Sequence, residues 1–224
     1  SCDLPVGTAH RLLQNLQRAG LVVSRGTKRK DYQLGQRLLR LLHAGSDSAW
    51  LEITVQPILN ELADRLGDTC YLARLSGHVV MSIAWAAPSD TLRGFIVPGH
   101  TLAPHVAASA KAILAFQTQE VIDKALAEPL PKMTPQTKTD RRQVEAEYAQ
   151  VARQGYATCW NEMELGLGAI AVPIPLPDVG VIYSLGTAGL IDRLKRRTEK
   201  ETVEVLMTAV EALARALRDR TPGE

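Results

Sequence analysis

Residues 4–34 read LPVGTAHRLLQNLQRAGLVVSRGTKRKDYQL, a pattern that begins as an amphipathic helix and continues as a hairpin. Leu4-Pro5 suits a helix start, because proline is preorganised for the first helical turn. Four apolar residues then recur at helical spacing and predict a buried stripe: Ala9, Leu12, Leu13 and Leu16. Gly20 is expected to end the helix. Residues 21–24 and 31–34 predict two short strands joined by a turn.

The polar face of this helix and the tip of the hairpin carry side chains that suit a nucleic acid. The helix presents hydroxyl, amide and guanidinium groups, which read base edges or hold phosphates, from Thr8, Arg11, Asn15 and Arg18. The turn concentrates positive charge, which suits a polyanion, on Arg25, Lys28, Arg29 and Lys30. The first 43 residues hold eight Lys or Arg against two Asp, whereas the remainder holds 18 against 22 acids. A solvated basic surface is the simpler alternative for either element taken alone.

Length and composition predict a globular protein of one main domain with a small appendage. The chain has 224 residues, of which 46% are hydrophobic and 22% charged, as is usual for globular proteins. The predicted division is a partial DNA-binding domain in 1–35, a linker helix in 36–49 and a larger domain in 50–224. No apolar run is long enough for a transmembrane helix and no signal peptide is expected, so the predicted compartment is the cytoplasm. Three scattered cysteines fit neither a disulfide framework nor a zinc ribbon.

The predicted strands and helices of the larger domain are segregated in blocks, which favours an α+β fold with an antiparallel sheet flanked by helices. Apolar periodicity predicts five helices, over residues 50–66, 107–115, 118–127, 140–154 and 191–219. It also predicts five strands, over residues 70–75, 79–86, 94–97, 168–173 and 180–186.

The N-terminal segment resembles the winged helix of the IclR family of bacterial transcription regulators. The resemblance rests on Thr8 to Leu16, on Gly20-Leu21-Val22 and on Tyr32-Gln33-Leu34-Gly35. It implies that the helix enters the major groove of DNA and that the hairpin wing lies against the backbone. The sequence departs from the family at Val6-Gly7, where Lys and Ser are common. A complete winged helix needs further helices before this one, so we expect a partial winged helix from a longer protein.

The larger domain resembles the GAF-like effector-binding domain of the same family. Its signatures are Gly99-x-x-Leu102-x-x-His105, Ala108-x-x-Lys111-Ala112, Gly155-Tyr156-Ala157, Glu162, Gly166-Leu167, Ile170-Ala171-x-Pro173 and Ser184-Leu185-Gly186. The resemblance implies a pocket for a small organic metabolite, often a carboxylate. Carried over by position, the lining would be Thr91, Gly94, Leu102, Ala108, Ser109, Cys159, Leu167, Ala169, Ser184 and Gly186.

Several departures from the family fall in this predicted pocket. Ala169 stands where Cys or Ser is usual, Cys159 where an acid is common and Gly186 where a second Ser is frequent. Together with Gly94 in place of a bulkier residue, they leave more room and fewer polar anchors. We therefore expect an effector larger than glyoxylate or pyruvate, such as an aromatic compound, with Arg93 either at the rim or simply exposed. Tight helix-to-strand packing is the alternative role for the small residues.

Two other functions remain open from the residues alone: a small metal-dependent hydrolase, and a stand-alone small-molecule sensor that binds no DNA. A hydrolase would use some of the five histidines with Glu162 or Asp90. The spacing of His100 and His105 argues against a metal site, and no HExxH, GxSxG or paired CxxC motif occurs. We expect no catalytic residues, no metal and no cofactor, and we expect His105 to begin a helix and hydrogen-bond locally.

The predicted partners are double-stranded operator DNA and a small-molecule effector, with no membrane. A single recognition helix covers few base pairs, so specificity usually requires two helices on a symmetric site. A homodimer through the N-terminal and linker helices, or a tetramer as in the family, is therefore expected.

Overall fold

The computed structural model describes residues 5–25, 31–35, 51–88, 99–127, 129–177 and 179–218. Its N-terminal part contains helix α1 (Val6–Arg18) and strands β1 (Val22–Arg25) and β2 (Asp31–Leu34). The two strands pair antiparallel, from Val22 opposite Leu34 to Arg25 opposite Asp31, which confirms the predicted helix and hairpin. The predicted linker helix, 36–49, lies outside the described residues.

Two glycines fix the junction between α1 and the hairpin. Gly20 has a φ of 70°, a left-handed conformation that ends helices and is easiest for glycine. The amide of Leu21 then donates to the Leu16 carbonyl at 2.9 Å. A side chain on Gly35 would meet the Gly20 carbonyl oxygen, and the Gly35 amide donates to the Leu21 carbonyl at 2.7 Å. The end of β2 is thereby held against the end of α1.

The predicted buried stripe of α1 is only partly buried. Ala9, Leu13 and Leu16 are half-buried, but Leu12 is 51% exposed, so its predicted burial is wrong. The physical reason is that, within the described residues, the main packing partner of α1 is the short strand β1, which is too small to cover the whole apolar stripe.

The larger domain begins with a π-helical turn, Leu51–Val55, and contains six helices and five strands within the described residues. The helices are α2 (Gln56–Leu66), α3 (Ala108–Leu114), α4 (Gln119–Ala125), α5 (Arg141–Gln154), α6 (Ile191–Leu194) and α7 (Glu199–Arg218). The strands are β3 (Thr69–Ser76), β4 (Val79–Ala86), β5 (Ala157–Trp160), β6 (Leu167–Leu176) and β7 (Gly180–Leu190). Across the described part of the chain, none of the helices is both long and apolar enough to span a membrane.

The five strands form one antiparallel sheet in the order β4-β3-β7-β6-β5, which confirms the α+β prediction. Successive residues of a strand face opposite sides of a sheet. On one side, Ala169 and Ala171 of β6 pack with Ala108 and Ala112 of α3. The intervening apolar residues of β6 join the main core, to which α2 and α7 also contribute.

Three predictions about these elements need correction. Strand β5 is absent from the prediction, because it is only four residues long and lies between the Gly155 helix end and the turn that begins at Asn161. The single predicted C-terminal helix is two helices, α6 and α7, since Thr198 starts a new one. Thr198 and Glu201 form a capping box, in which the Glu201 carboxylate accepts from the Thr198 amide at 2.7 Å and the Glu201 amide donates to the Thr198 hydroxyl at 3.2 Å. The first predicted helix is α-helical only from Gln56.

The predicted strand over residues 94–97 lies outside the described residues. The segment that follows runs along the outer edge of β4, where Thr101 forms a bridge with Met81. The Leu102 amide donates to the Val80 carbonyl at 2.8 Å. This segment brings His100, Thr101 and Leu102 to the edge of the sheet next to α3.

Candidate effector-binding site

A cavity of about 140 Å³ lies between the start of α3 and the sheet. Its lining comes from β3, the segment before α3, α3 itself, the strands β5, β6 and β7, and the β5–β6 turn: Tyr71, His100, Thr101, Leu102, Ala107, Ala108, Cys159, Met163, Leu167, Gly168, Ala169, Ala188 and Gly189. Most of these side chains are apolar. The volume is similar to the roughly 150 Å³ of an engineered protein cavity that binds benzene. The space therefore suits a compact ring.

The cavity exists because small residues meet across neighbouring strands. Ala169 of β6 pairs with Cys159 of β5 on one side and with Ala188 of β7 on the other. Since cross-strand partners face the same side of the sheet, three short side chains lie in a row beneath α3. The helix contributes only Ala108 above them. Space that larger side chains would fill therefore stays open.

The positions carried over from the family resemblance fall into three groups. Five of them line the cavity together: Leu102, Ala108, Cys159, Leu167 and Ala169. Three others are packed between α3 and β7 rather than on the lining: Ser109, Ser184 and Gly186. Ser184 Oγ donates to the Ser109 carbonyl at 3.1 Å. Thr91, Gly94 and Arg93 lie outside the described residues.

Other lining residues were not expected from the sequence, including Tyr71, Met163 and Ala188. Tyr71 belongs to β3, whose pattern is that of a buried strand and gives no sign of a pocket. Met163 lies in the β5–β6 turn, and its place on the cavity lining is set by tertiary packing that the local sequence does not show. Ala188 would have been expected if β7 had been extended beyond Gly186, because side chains two residues apart face the same side.

A buried ionic cluster supports one wall of the cavity. Lys111 of α3 is fully buried, and its Nζ donates to Glu147 Oε1 at 2.8 Å, to both carboxylate oxygens of Glu162 at 2.9 Å and to the Thr158 carbonyl at 3.0 Å. Lys138 Nζ lies 2.9 Å from Glu147 Oε2. Two cations and two anions thus balance, and they join α3, α5 and the β5–β6 turn. Lys111 and Glu162 were recognised as family positions, but their pairing was not predicted.

Cys159 lies between this cluster and the cavity. Burial raises the pKa of its thiol, although the positive charge of Lys111 opposes the shift. The thiol is therefore protonated at neutral pH, and it offers the cavity a polarizable, weakly polar surface. A neutral thiol at residue 159 thus replaces the negatively charged side chain that the family resemblance leads one to expect at this position.

The nucleic-acid candidates on α1 share one exposed surface. Thr8, Arg11, Asn15 and Arg18 are all exposed. Gln17 Nε2 donates to Ser24 Oγ of β1 at 3.2 Å, which ties this helix to the hairpin. Arg25 ends β1, but its side chain lies outside the described part, as do Lys28, Arg29 and Lys30.

Comparison with known proteins decides the family. A family model described as bacterial transcriptional regulator IclR C-terminal matches residues 45–215. The chain belongs to the IclR family. Its C-terminal domain is thus an IclR effector domain, and the cavity lies within it.

Individual IclR relatives cover most of the chain. The probable transcriptional regulator SauR of Cupriavidus necator is 30% identical over 173 residues, which cover 77% of this chain and 68% of SauR. The Pca regulon regulatory protein of Pseudomonas putida is 28% identical over 218 residues, covering 96% of this chain and 74% of that protein. An IclR homolog from Microbacterium hydrocarbonoxydans, complexed with 4-hydroxybenzoate, matches with a TM-score of 0.68 and 28% identity, covering 96% of this chain and 87% of that one.

Membership of the IclR family confirms that the chain is a transcriptional regulator rather than an enzyme. Within the described residues, no group of three His, Cys, Asp or Glu side chains could hold a metal ion. His105 lies in the turn before α3, and its Nε2 donates to the Pro131 carbonyl at 2.9 Å. This bond spans 26 residues, so the prediction of a local hydrogen bond is wrong. His105 instead fastens the segment around Pro131 to the start of α3.

Proposed function

We propose that this IclR regulator binds operator DNA as a dimer or tetramer and that its effector is a small aromatic carboxylate, held in the cavity between α3 and the sheet. The observation that carries the proposal is the ring-sized apolar cavity of about 140 Å³. The IclR homolog that matches with a TM-score of 0.68 is complexed with 4-hydroxybenzoate, and this ligand has the shape and chemistry that the cavity suits.

The cavity favours an aromatic acid over a keto acid of two or three carbons because of the area that each can bury. A ring the size of an aromatic side chain buries roughly 150 Å² or more, which contributes about 4 kcal/mol at 25 cal/mol per Å². One or two hydrogen bonds to a charged group add about 1.5 to 3 kcal/mol each. The sum, about 5 to 10 kcal/mol, corresponds to dissociation constants between about 0.1 mM and about 0.1 μM. A keto acid of two or three carbons has no ring to bury and therefore lacks the contribution from apolar area.

The polar side chains that the cavity offers to a carboxylate are few. Tyr71, His100 and Thr101 are the lining residues that carry hydroxyl or imidazole groups. His100 and Thr101 are exposed, whereas Tyr71 is buried. A ligand with one polar end and an otherwise apolar body matches this distribution.

DNA binding is supported by the arrangement of α1 and the hairpin. The exposed Thr8, Arg11, Asn15 and Arg18 lie on one helix, and the hairpin that follows brings the basic turn next to it in the chain. One helix that reads the groove, with one wing that contacts phosphates, covers only a few base pairs. A second copy of the chain is therefore needed to recognise a specific site. A dimer on a site with two-fold symmetry follows from that requirement.

Calorimetry with the full chain tests the effector class. Benzoate and 4-hydroxybenzoate should bind, and glyoxylate and pyruvate should not. Ala169→Leu puts an isobutyl group into the cavity and should weaken aromatic binding at least about tenfold by excluding the ring. Ala149→Leu, at an exposed position of α5, is the matched control and should bind normally. Binding of the keto acids alone would refute the proposed effector.

Selection of duplexes from a random pool, followed by fluorescence anisotropy, tests the DNA-binding part. The enriched sequence should have two-fold symmetric half-sites about 10 base pairs apart. Replacing Arg29 and Lys30 together by Ala should reduce the slope of log affinity against log salt by about 0.9 for each lost phosphate contact. Lys124→Ala, in the effector domain, should leave the slope unchanged. A chain that enriches no sequence and binds no duplex would be a sensor without DNA binding.

A further inference from the structure

The ring of Tyr71 lies over a glycine on the neighbouring strand. Tyr71 lines the cavity but is only 1% exposed, and its register partner on β7 is Gly186. A Cβ atom on Gly186 would lie 2.8 Å from Tyr71 Cζ, 2.9 Å from Tyr71 Oη and 2.9 Å from Ser109 Oγ. The tip of the tyrosine ring and the Ser109 hydroxyl therefore share the space that a side chain at residue 186 would occupy.

The Ser109 hydroxyl has hydrogen-bonding capacity left over. Ser109 Oγ is buried and, among the described residues, has no partner at hydrogen-bonding geometry. Ser184 donates to the backbone carbonyl of Ser109 and not to this hydroxyl. A buried polar group without a partner costs about 1 to 3 kcal/mol. The Tyr71 hydroxyl, which lies beside the same Gly186 position, is the available hydrogen-bond partner of Ser109 Oγ. If Ser109 donates to Tyr71, a third group is needed to accept the hydrogen bond that Tyr71 can donate.

The phenol of Tyr71 is a hydrogen-bond donor at neutral pH. Burial raises the pKa of Tyr71, and the nearby Ser109 hydroxyl offsets that rise only in part. A protonated phenol that accepts a hydrogen bond from Ser109 can direct its own O–H towards an oxygen atom in the cavity. The small side chains of Cys159, Ala169 and Ala188 supply no comparable donor on the sheet side.

We infer that Tyr71 and Ser109 form a subsite that reads the oxygen-bearing substituent of the effector, with Gly186 as the residue that leaves room for both hydroxyls. This inference rests on the proposed function, because it concerns the same cavity. Tyr71 donates to the ligand oxygen and Ser109 donates to Tyr71. The subsite discriminates between rings of equal size by their substituent, since a site built to hydrogen-bond rejects an analogue that lacks the partner group.

Calorimetric titration of the full chain with phenol and with toluene tests the subsite, because the two rings differ only in a hydroxyl and a methyl group. Tyr71→Phe removes the donor and keeps the ring. It should lower the ratio of phenol affinity to toluene affinity about tenfold or more while leaving toluene binding within about twofold. Ser109→Ala should lower the ratio in the same direction, and both variants are checked for cooperative thermal unfolding. The control, Tyr148→Phe, removes a buried hydroxyl that bonds to the Pro104 carbonyl and should leave the ratio unchanged.

The outcomes separate this inference from the proposed function. If benzoate fails to bind but the phenol preference depends on Tyr71, the subsite stands and the aromatic-acid effector does not. If benzoate binds and neither Tyr71→Phe nor Ser109→Ala alters the phenol-to-toluene ratio, the subsite is refuted and the effector class stands. Failure of the wild-type chain to bind any of the three compounds would overturn both.

Discussion

Replacing Lys111 by Met removes a charge from the buried ionic cluster while keeping a long side chain in α3. Lys111 is fully buried and holds Glu147 and Glu162 at 2.8 and 2.9 Å. Without it, the two carboxylates retain Lys138, whose side chain is 38% exposed. The Thr158 carbonyl also loses its 3.0 Å hydrogen bond from Lys111. We therefore expect a large loss of stability from a single substitution.

The magnitude follows from the burial of each partner. Removing one member of a buried ion pair costs about 3 to 5 kcal/mol, because it leaves an uncompensated charge. Removing an exposed partner costs about 0 to 1 kcal/mol. Lys111→Met should therefore lower the free energy of unfolding by about 4 kcal/mol, which is about 8 to 16 °C in Tm for a domain of this size. Lys138→Met, which contacts the same Glu147, should cost less than about 1 kcal/mol.

Urea denaturation followed by circular dichroism at pH 7 measures these differences. The double variant Lys111→Met with Glu162→Gln should be more stable than the sum of the two single variants predicts, by about 1 to 3 kcal/mol, because neutralising both partners removes the orphaned charge. A loss below about 1 kcal/mol for Lys111→Met, or a loss equal to that of Lys138→Met, would refute the role given to the cluster.

Three other substitutions test separate parts of the structure. Gly186→Ala forces the Tyr71 ring to move and should cost about 1 to 3 kcal/mol in urea unfolding; unchanged stability would mean that the ring has room. Burial raises the pKa of Cys70 from 9.0 to about 12. The contribution of this protonated thiol to the free energy of unfolding is therefore fully present below pH 9. Above pH 9 the unfolded chain loses a proton that the folded chain keeps, and stability should fall by up to about 1.4 kcal/mol per pH unit until pH 12. Cys70→Ala should flatten that decline in an alkaline series of denaturation curves, and an identical decline would count against it. Gly35→Ala places a methyl group against a backbone carbonyl and should weaken DNA binding in anisotropy assays, whereas Gly7→Ala, which meets open space, should not; equal effects would contradict the close packing of Gly35 against the end of α1.

Much of the fold could be predicted from local patterns. The helical period identified α1 and α5, and the alternating period identified β3, β4 and the hairpin, because each of these elements buries one face over several residues. Strand β5 was not predicted, because its four residues are too few for an alternating period to be recognised. The break before α7 is marked in the sequence by the Thr198-x-x-Glu201 capping box, a signal that the prediction did not use.

The site was less predictable because its parts are distant in the chain. Family resemblance supplied Cys159 and Ala169, which do line the cavity. The contribution of Tyr71 depends on its register opposite Gly186 on β7, and strand register is set by tertiary pairing. The Lys111–Glu162 pair joins residues 51 positions apart, and no sequence period relates them. Local patterns thus predicted the elements, while the contacts between them determined the chemistry of the cavity.

The central claim is that an aromatic carboxylate occupies the cavity between α3 and the sheet. A crystal of the full chain soaked in 4-bromobenzoate, with diffraction data collected at the bromine absorption edge, tests it most directly. An anomalous peak is expected between Leu102, Cys159 and Ala169, with the carboxylate on the side of Tyr71. A bromine peak at another surface, or an empty cavity under conditions in which calorimetry shows binding, would contradict it.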